Sequence, residues 1–134
     1  MTERTPARGT IAVKTYEPTT YDQQGAAASL VEIHVTEDFS GDITGSGTVR
    51  FLQALRPDGS ASFCGIERVV GALGGRQGSF LLQDTGTLTG NEVSGSWSVI
   101  PGSADGDLSG LRGDGGFRAQ LGQNATWTLA YWFE

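Results

Sequence analysis

A chain of 134 residues, 37% hydrophobic and 18% charged, is long enough for one domain with one core and too apolar for a disordered segment. Its net charge of −6, with Lys14 the single lysine and eight scattered arginines, argues against nucleic acid and anionic membrane surfaces as partners. No apolar run approaches the ~18 residues of a membrane span, the opening "MTERTPARGT" lacks the apolar centre of a secretion signal, and the lone Cys64 has no partner for an internal disulfide, so a cytoplasmic protein is expected.

Residues 1–9 are expected to form a flexible tail ahead of a single domain over 10–134. No segment keeps a 3.6-residue apolar repeat for three turns. Short runs rich in Val, Ile, Thr and aromatics recur instead between Gly, Asp and Asn clusters. Strands are expected at 10–17, 28–39, 43–56, 60–72, 77–88, 92–100, 116–121 and 125–134. The two ends, "TIAVKTYE" and "ATWTLAYWFE", are both strand-like. Their pairing would close the sheet into an all-β, eight-stranded antiparallel barrel with little or no helix, free of exposed edges. Two connections exceed hairpin length, 18–27 and the glycine-rich 101–116, and either can serve as a plain loop or as a lid at a barrel rim.

Strand 28–39 alternates, with Val31, Ile33 and Val35 on one face and Glu32, His34 and Thr36 on the other. The odd-numbered face is therefore expected inside. Tight two-residue turns are expected at Ser40-Gly41 or Gly41-Asp42, at Asp58-Gly59, at Gly75-Arg76 and at Gly90-Asn91. Counting back from these turns sets Arg50 opposite Glu67, Glu67 opposite Asp84, and Asp84 opposite Trp97, as one inward row. Arg68 and His34 then face out. A one-residue slip at any turn would reverse the face beyond it.

An inward carboxylate is costly unless paired. Arg50 is expected to pair with Glu67, leaving Asp84 as a second acid nearby. Two close carboxyls do not ionise independently, so one keeps a proton as a general acid while the other serves as base. Glu67 and Asp84 are the candidate catalytic residues. Arg50, Phe63, Phe80, Leu82 and Trp97 are the candidate ligand-binding residues, the apolar ones forming the walls of a pocket for an apolar or aromatic small molecule. The competing reading is that the Arg–Glu–Asp row is a structural network.

Other motifs carry less. "GALGGRQGS" lacks the Gly-Lys-Ser/Thr ending of a phosphate loop. His34 and Cys64 make no metal constellation, so no metal and no cofactor are expected. The "DGD" and "RGD" triplets lack the spaced oxygen ligands of a calcium loop. "NAT" at 124–126 matters only in a secreted glycoprotein.

The ordered strings "FSGDITGSG", "RPDGSASFCGIERVVGALGGRQGSFLLQDTG", "SGSWSVIPGSADGDLSGLRGDGGF" and "TLAYWFE" resemble the DUF3224 family of small bacterial proteins over roughly residues 10–134. Phe63, Gly65, Glu67, Arg68, Gly71, Phe80, Gln83, Gly86 and Trp97 match the family pattern. That pattern often carries His where this chain has Asp84. The resemblance implies a barrel similar to the allene oxide cyclase and dirigent proteins, one able to enclose a ligand, and it supplies no activity. Enzymes among such barrels act largely by holding a flexible apolar substrate in a reactive fold. Three functions follow as expectations: an isomerase or cyclase acting on an apolar or aromatic metabolite, a non-catalytic carrier of one, or a structural homo-oligomer with a filled interior.

Overall fold

The computed structural model describes residues 3–134. These residues form eight antiparallel strands: β1 (Thr5–Asp22), β2 (Ser29–Gly41), β3 (Ile43–Leu55), β4 (Ala61–Leu73), β5 (Arg76–Thr89), β6 (Glu92–Val99), β7 (Leu111–Gln120) and β8 (Ala125–Phe133). Each pairs with its neighbour in sequence, and β1 pairs with β8, so the sheet is a closed barrel. The only helical element among these residues is a 3-10 turn, Gly106–Leu108, within the long glycine-rich connection.

The closing seam corrects the expected tail. Thr5–Ile11 pair with Tyr131–Ala125, which places Thr5–Gly9 in β1; residues 1 and 2 of that tail lie outside the described residues. The expected 18–27 loop is also shorter, because β1 runs on to Asp22 against β2 through two register shifts, between Val13 and Thr15 and between Thr20 and Asp22. Past Ile11, β1 has no β8 residue beside it, since β8 begins at Ala125. The seam therefore parts at that end, and Val13 and Tyr16 stand more than half exposed there.

The hairpin turns set which face of each strand is inside. Thr89 faces Glu92 across Gly90-Asn91, as expected. The β4–β5 turn is Gly74-Gly75 rather than Gly75-Arg76: Leu73 faces Arg76, and both glycines have positive φ (58° and 83°), the conformation a tight hairpin needs at both central residues. The β3–β4 turn is a three-residue loop, Pro57-Asp58-Gly59. Arg56 N–H donates to the Ser60 carbonyl and Gly59 N–H to the Arg56 carbonyl, with Gly59 at φ 89°. Asp58 Oδ1 holds the loop by accepting from Ser60 N–H at 2.9 Å and from the Ser60 hydroxyl at 2.7 Å.

The β2–β3 corner is not a two-residue turn either. Phe39 faces Gly45, and Asp42 is drawn to β1, where its Oδ2 accepts from Arg8 N–H at 2.9 Å and its own N–H donates to the Arg8 carbonyl.

Two apolar clusters face the interior. One half of the lumen is packed solid by Phe39, Ile43, Val69, Leu73, Phe80, Leu82, Leu108 and Trp127 with their neighbours. A smaller cluster, Val31, Ile33, Val35 and Val49, lines the other half. On the outer face Leu52, Ile66 and Val70 are half exposed.

Candidate functional site

Odd residues of β2 point inward from Val31 through Phe39, and Glu37 lies among them. Across the sheet Glu37 faces Gly47 of β3, and Gly47 in turn faces Val69 of β4. Glu67, two residues back along β4 from Val69, also points inward and is 1% exposed. A methyl group on Gly47 would overlap Glu67 Oε2 and come within 2.8 Å of Phe39 Cε1. The bare backbone at Gly47 is therefore the slot that Glu67's carboxyl occupies. Through it Glu67 approaches Glu37 across β3, close enough that each carboxyl shifts the other's proton affinity.

Asp84 completes the group from β5. It faces Gly65 on one side and Trp97 on the other, and is also 1% exposed. Glu67 Oε2 and Asp84 Oδ1 are buried without a hydrogen-bond partner.

Among the described residues no cation stands with these three carboxyls. Burial pushes Glu67 well above the ordinary carboxylate range, helped by the hydrogen bond to Glu37 and by the negative charges of Glu37 and Asp84. Burial and then the charge of Glu37 push Asp84 up to about 8. Glu37 is raised by burial and partly restored by the hydrogen bond it accepts from Glu67. Both shifts favour the protonated forms of Glu67 and Asp84 over the ionised ones. Among the described residues no three His, Cys, Asp or Glu side chains are grouped as metal ligands.

The carboxyls form one end of a cavity of about 530 Å³. Its walls are apolar and aromatic, including Ile33, Val35, Phe51, Phe63, Trp97 and Phe117, and among the described residues its lining holds no Lys, Arg or His. Its mouth lies where the seam parts, between Val13 and Tyr16 of β1 and the 121–125 connection before β8. The aromatic wall is continuous: Phe51 lies 5.1 Å from Phe63, Phe63 6.2 Å from Phe117, and Phe117 5.2 Å from Trp97, centroid to centroid. Glycines admit it. Gly86 and Gly95 face each other across β5 and β6, and side chains on them would strike the rings of Phe63 and Phe117. Trp97 is fixed in place by its indole N–H, which donates to the Thr128 carbonyl at 2.9 Å.

Glu67, Asp84, Phe63 and Trp97 line one cavity. Three expectations are corrected. Arg50 is exposed on the outer face, opposite His34 and Ile66, so it neither pairs with Glu67 nor sets the charge of the acids. Glu67 faces Leu82 rather than Asp84, because the β4–β5 turn is shifted by one residue. Phe80 and Leu82 point inward but belong to the packed half, beyond the cavity's lining. The lumen is not filled. Glu37 was missed, although the alternation that puts Val31, Ile33 and Val35 inside extends two residues further to it.

The comparisons agree with this architecture. No curated protein matches the chain. A crystal structure of a protein with unknown function from the DUF3224 family of Shewanella oneidensis MR-1 superposes with a TM-score of 0.83 at 31% identity, over 98% of this chain and 99% of that one. The family described as "Protein of unknown function (DUF3224)" matches residues 7–131, and the chain belongs to that family.

Proposed function

We propose that the barrel binds a small apolar or aromatic molecule in its lumen and promotes its isomerisation or ring closure, with Glu67 as proton donor and Asp84 as the second proton-exchanging group. The observation that carries this reading is the pair of buried, cation-free carboxyls at the end of an aromatic cavity of about 530 Å³. A carboxylic acid kept neutral by an apolar site can protonate a bound molecule near pH 7, and a neighbouring carboxyl can take a proton back. The rigid aromatic wall would hold a flexible substrate folded, and positioning alone can supply several kcal/mol towards its barrier. The DUF3224 resemblance, which implies a barrel similar to that of the allene oxide cyclases, would fit such a reaction.

Native mass spectrometry of gently purified protein tests binding: a retained small molecule is expected, and its absence would contradict the proposal. Returned to the protein in heavy water, that molecule should gain deuterium with the wild type and not with Glu67→Gln. Retention with no incorporation by either protein would select the carrier reading over the enzyme.

A further inference from the structure

Resting on the reading that the lumen binds a small molecule, we infer that its ligand is a monocation: a protonated amine on an apolar or aromatic body, with its nitrogen at the carboxyl end of the cavity. Charge balance and unmet hydrogen bonding support this together. Glu37 from β2, Glu67 from β4 and Asp84 from β5 face the same interior. The elements beside them contribute no opposite charge: Gly47 and Val49 on β3, Trp97 on β6, Phe117 on β7, Trp127 on β8 and Ile11 on β1. Arg50 and Arg68, the arginines nearest in sequence, are both outside. Buried acids ordinarily have a basic partner or a hydrogen bond for each oxygen. Here Glu67 Oε2 and Asp84 Oδ1 have neither, and both residues line the cavity.

An ammonium group supplies what is missing. It brings up to three N–H donors and the one positive charge that the interior lacks. The neighbouring surface suits it as well. Trp97, Phe117 and Phe63 form a run of ring faces beside the acids, and aromatic faces attract cations most strongly where water is excluded. An anionic ligand would be repelled by whichever of the three acids is ionised, and a neutral one could donate a hydrogen bond to an orphaned oxygen but would bring no charge to pair with a carboxylate. Binding a cation also shifts protons: as the ammonium arrives a carboxyl releases its proton to solvent, leaving an ammonium–carboxylate pair. The amine should therefore bind more tightly as pH rises from about 6 to about 8, while an uncharged ligand should show no such trend.

Three probes sharing one body separate these outcomes: naphthylethylamine, naphthylethanol and naphthylacetate, titrated into the full-length protein and followed by calorimetry. The amine is expected to bind at least about tenfold tighter than the alcohol, and the acetate most weakly. In Glu67→Gln/Asp84→Asn, which keeps the shapes of both side chains, the gap should narrow to within about threefold. Alcohol binding as tight as the amine would overturn the cationic ligand and leave the binding reading standing. A gap that persists in the double variant would overturn the role given to the carboxyls. Failure of all three probes to bind would overturn both readings.

Discussion

Glu67 meets Glu37 across a strand that belongs to neither, through the space left by the missing side chain of Gly47. Residues on β2 and β4 are two strands apart, about 9–10 Å by strand spacing, and an intervening inward side chain would ordinarily keep them separate. A single glycine thus turns isolated acids into an interacting group, and their mutual repulsion helps keep protons on them.

Gly47→Ala is therefore expected to destabilise the barrel by about 1–3 kcal/mol, since the added methyl must displace the Glu67 carboxyl or the Phe39 ring. In a Glu67→Ala background the same substitution should cost much less. Chemical denaturation of the four proteins of this cycle gives the coupling directly. Equal costs in the two backgrounds would mean that Gly47 does not serve Glu67.

The contribution of Asp84 to stability should fall as pH rises from about 4 to about 8. Asp84 has its pKa raised to about 8 by folding, so the folded state binds a proton that the unfolded chain releases first. Its favourable contribution is complete below the ordinary carboxylate range and is lost as pH climbs towards about 8. Asp84→Asn, which cannot ionise, should stabilise the protein by about 1–4 kcal/mol at the alkaline end, with the difference shrinking towards acid pH. Thermal melts of the two proteins across pH check the sign. A wild type that gains stability on going from acid to neutral pH relative to Asp84→Asn would contradict it.

Arg50 provides a control. Its exposed position predicts that Arg50→Ala changes stability by no more than about 0.5 kcal/mol and leaves the titration of Glu67 where it was. A large effect on either would restore the Arg50–Glu67 pair.

The barrel itself was legible because its signals are local: alternating apolar residues, punctuating glycines and two strand-like ends. The site was legible in part, and for a partly accidental reason. The β2–β3 corner and the β3–β4 loop each depart by one residue from a two-residue turn, one because Asp42 binds β1, the other because Gly59 adds a third loop residue. Each departure reverses a face, and the two cancel at β4. Glu67 is inside as expected, while Arg50, which lies between them, is outside. The β4–β5 turn slips the register by two, which preserves the face and changes the partner, so Asp84 stays inside but faces Gly65. Turn types of this kind depend on contacts made by residues distant in sequence, such as Asp42 with Arg8. The role of Gly47 was equally hidden, because a glycine in a strand does not reveal which side chain fills its space. Glu37 needed no such information and follows from simple alternation.

The central claim is that acids inside the barrel hold protons at neutral pH, and carboxyl-carbon NMR titration of labelled protein measures this directly. Asp84 should titrate at about 8, with Glu67 also well above the ordinary range, and Glu37→Gln should lower both by removing the charge that repels them. Asp84 and Glu67 titrating together near pH 4 would contradict the account.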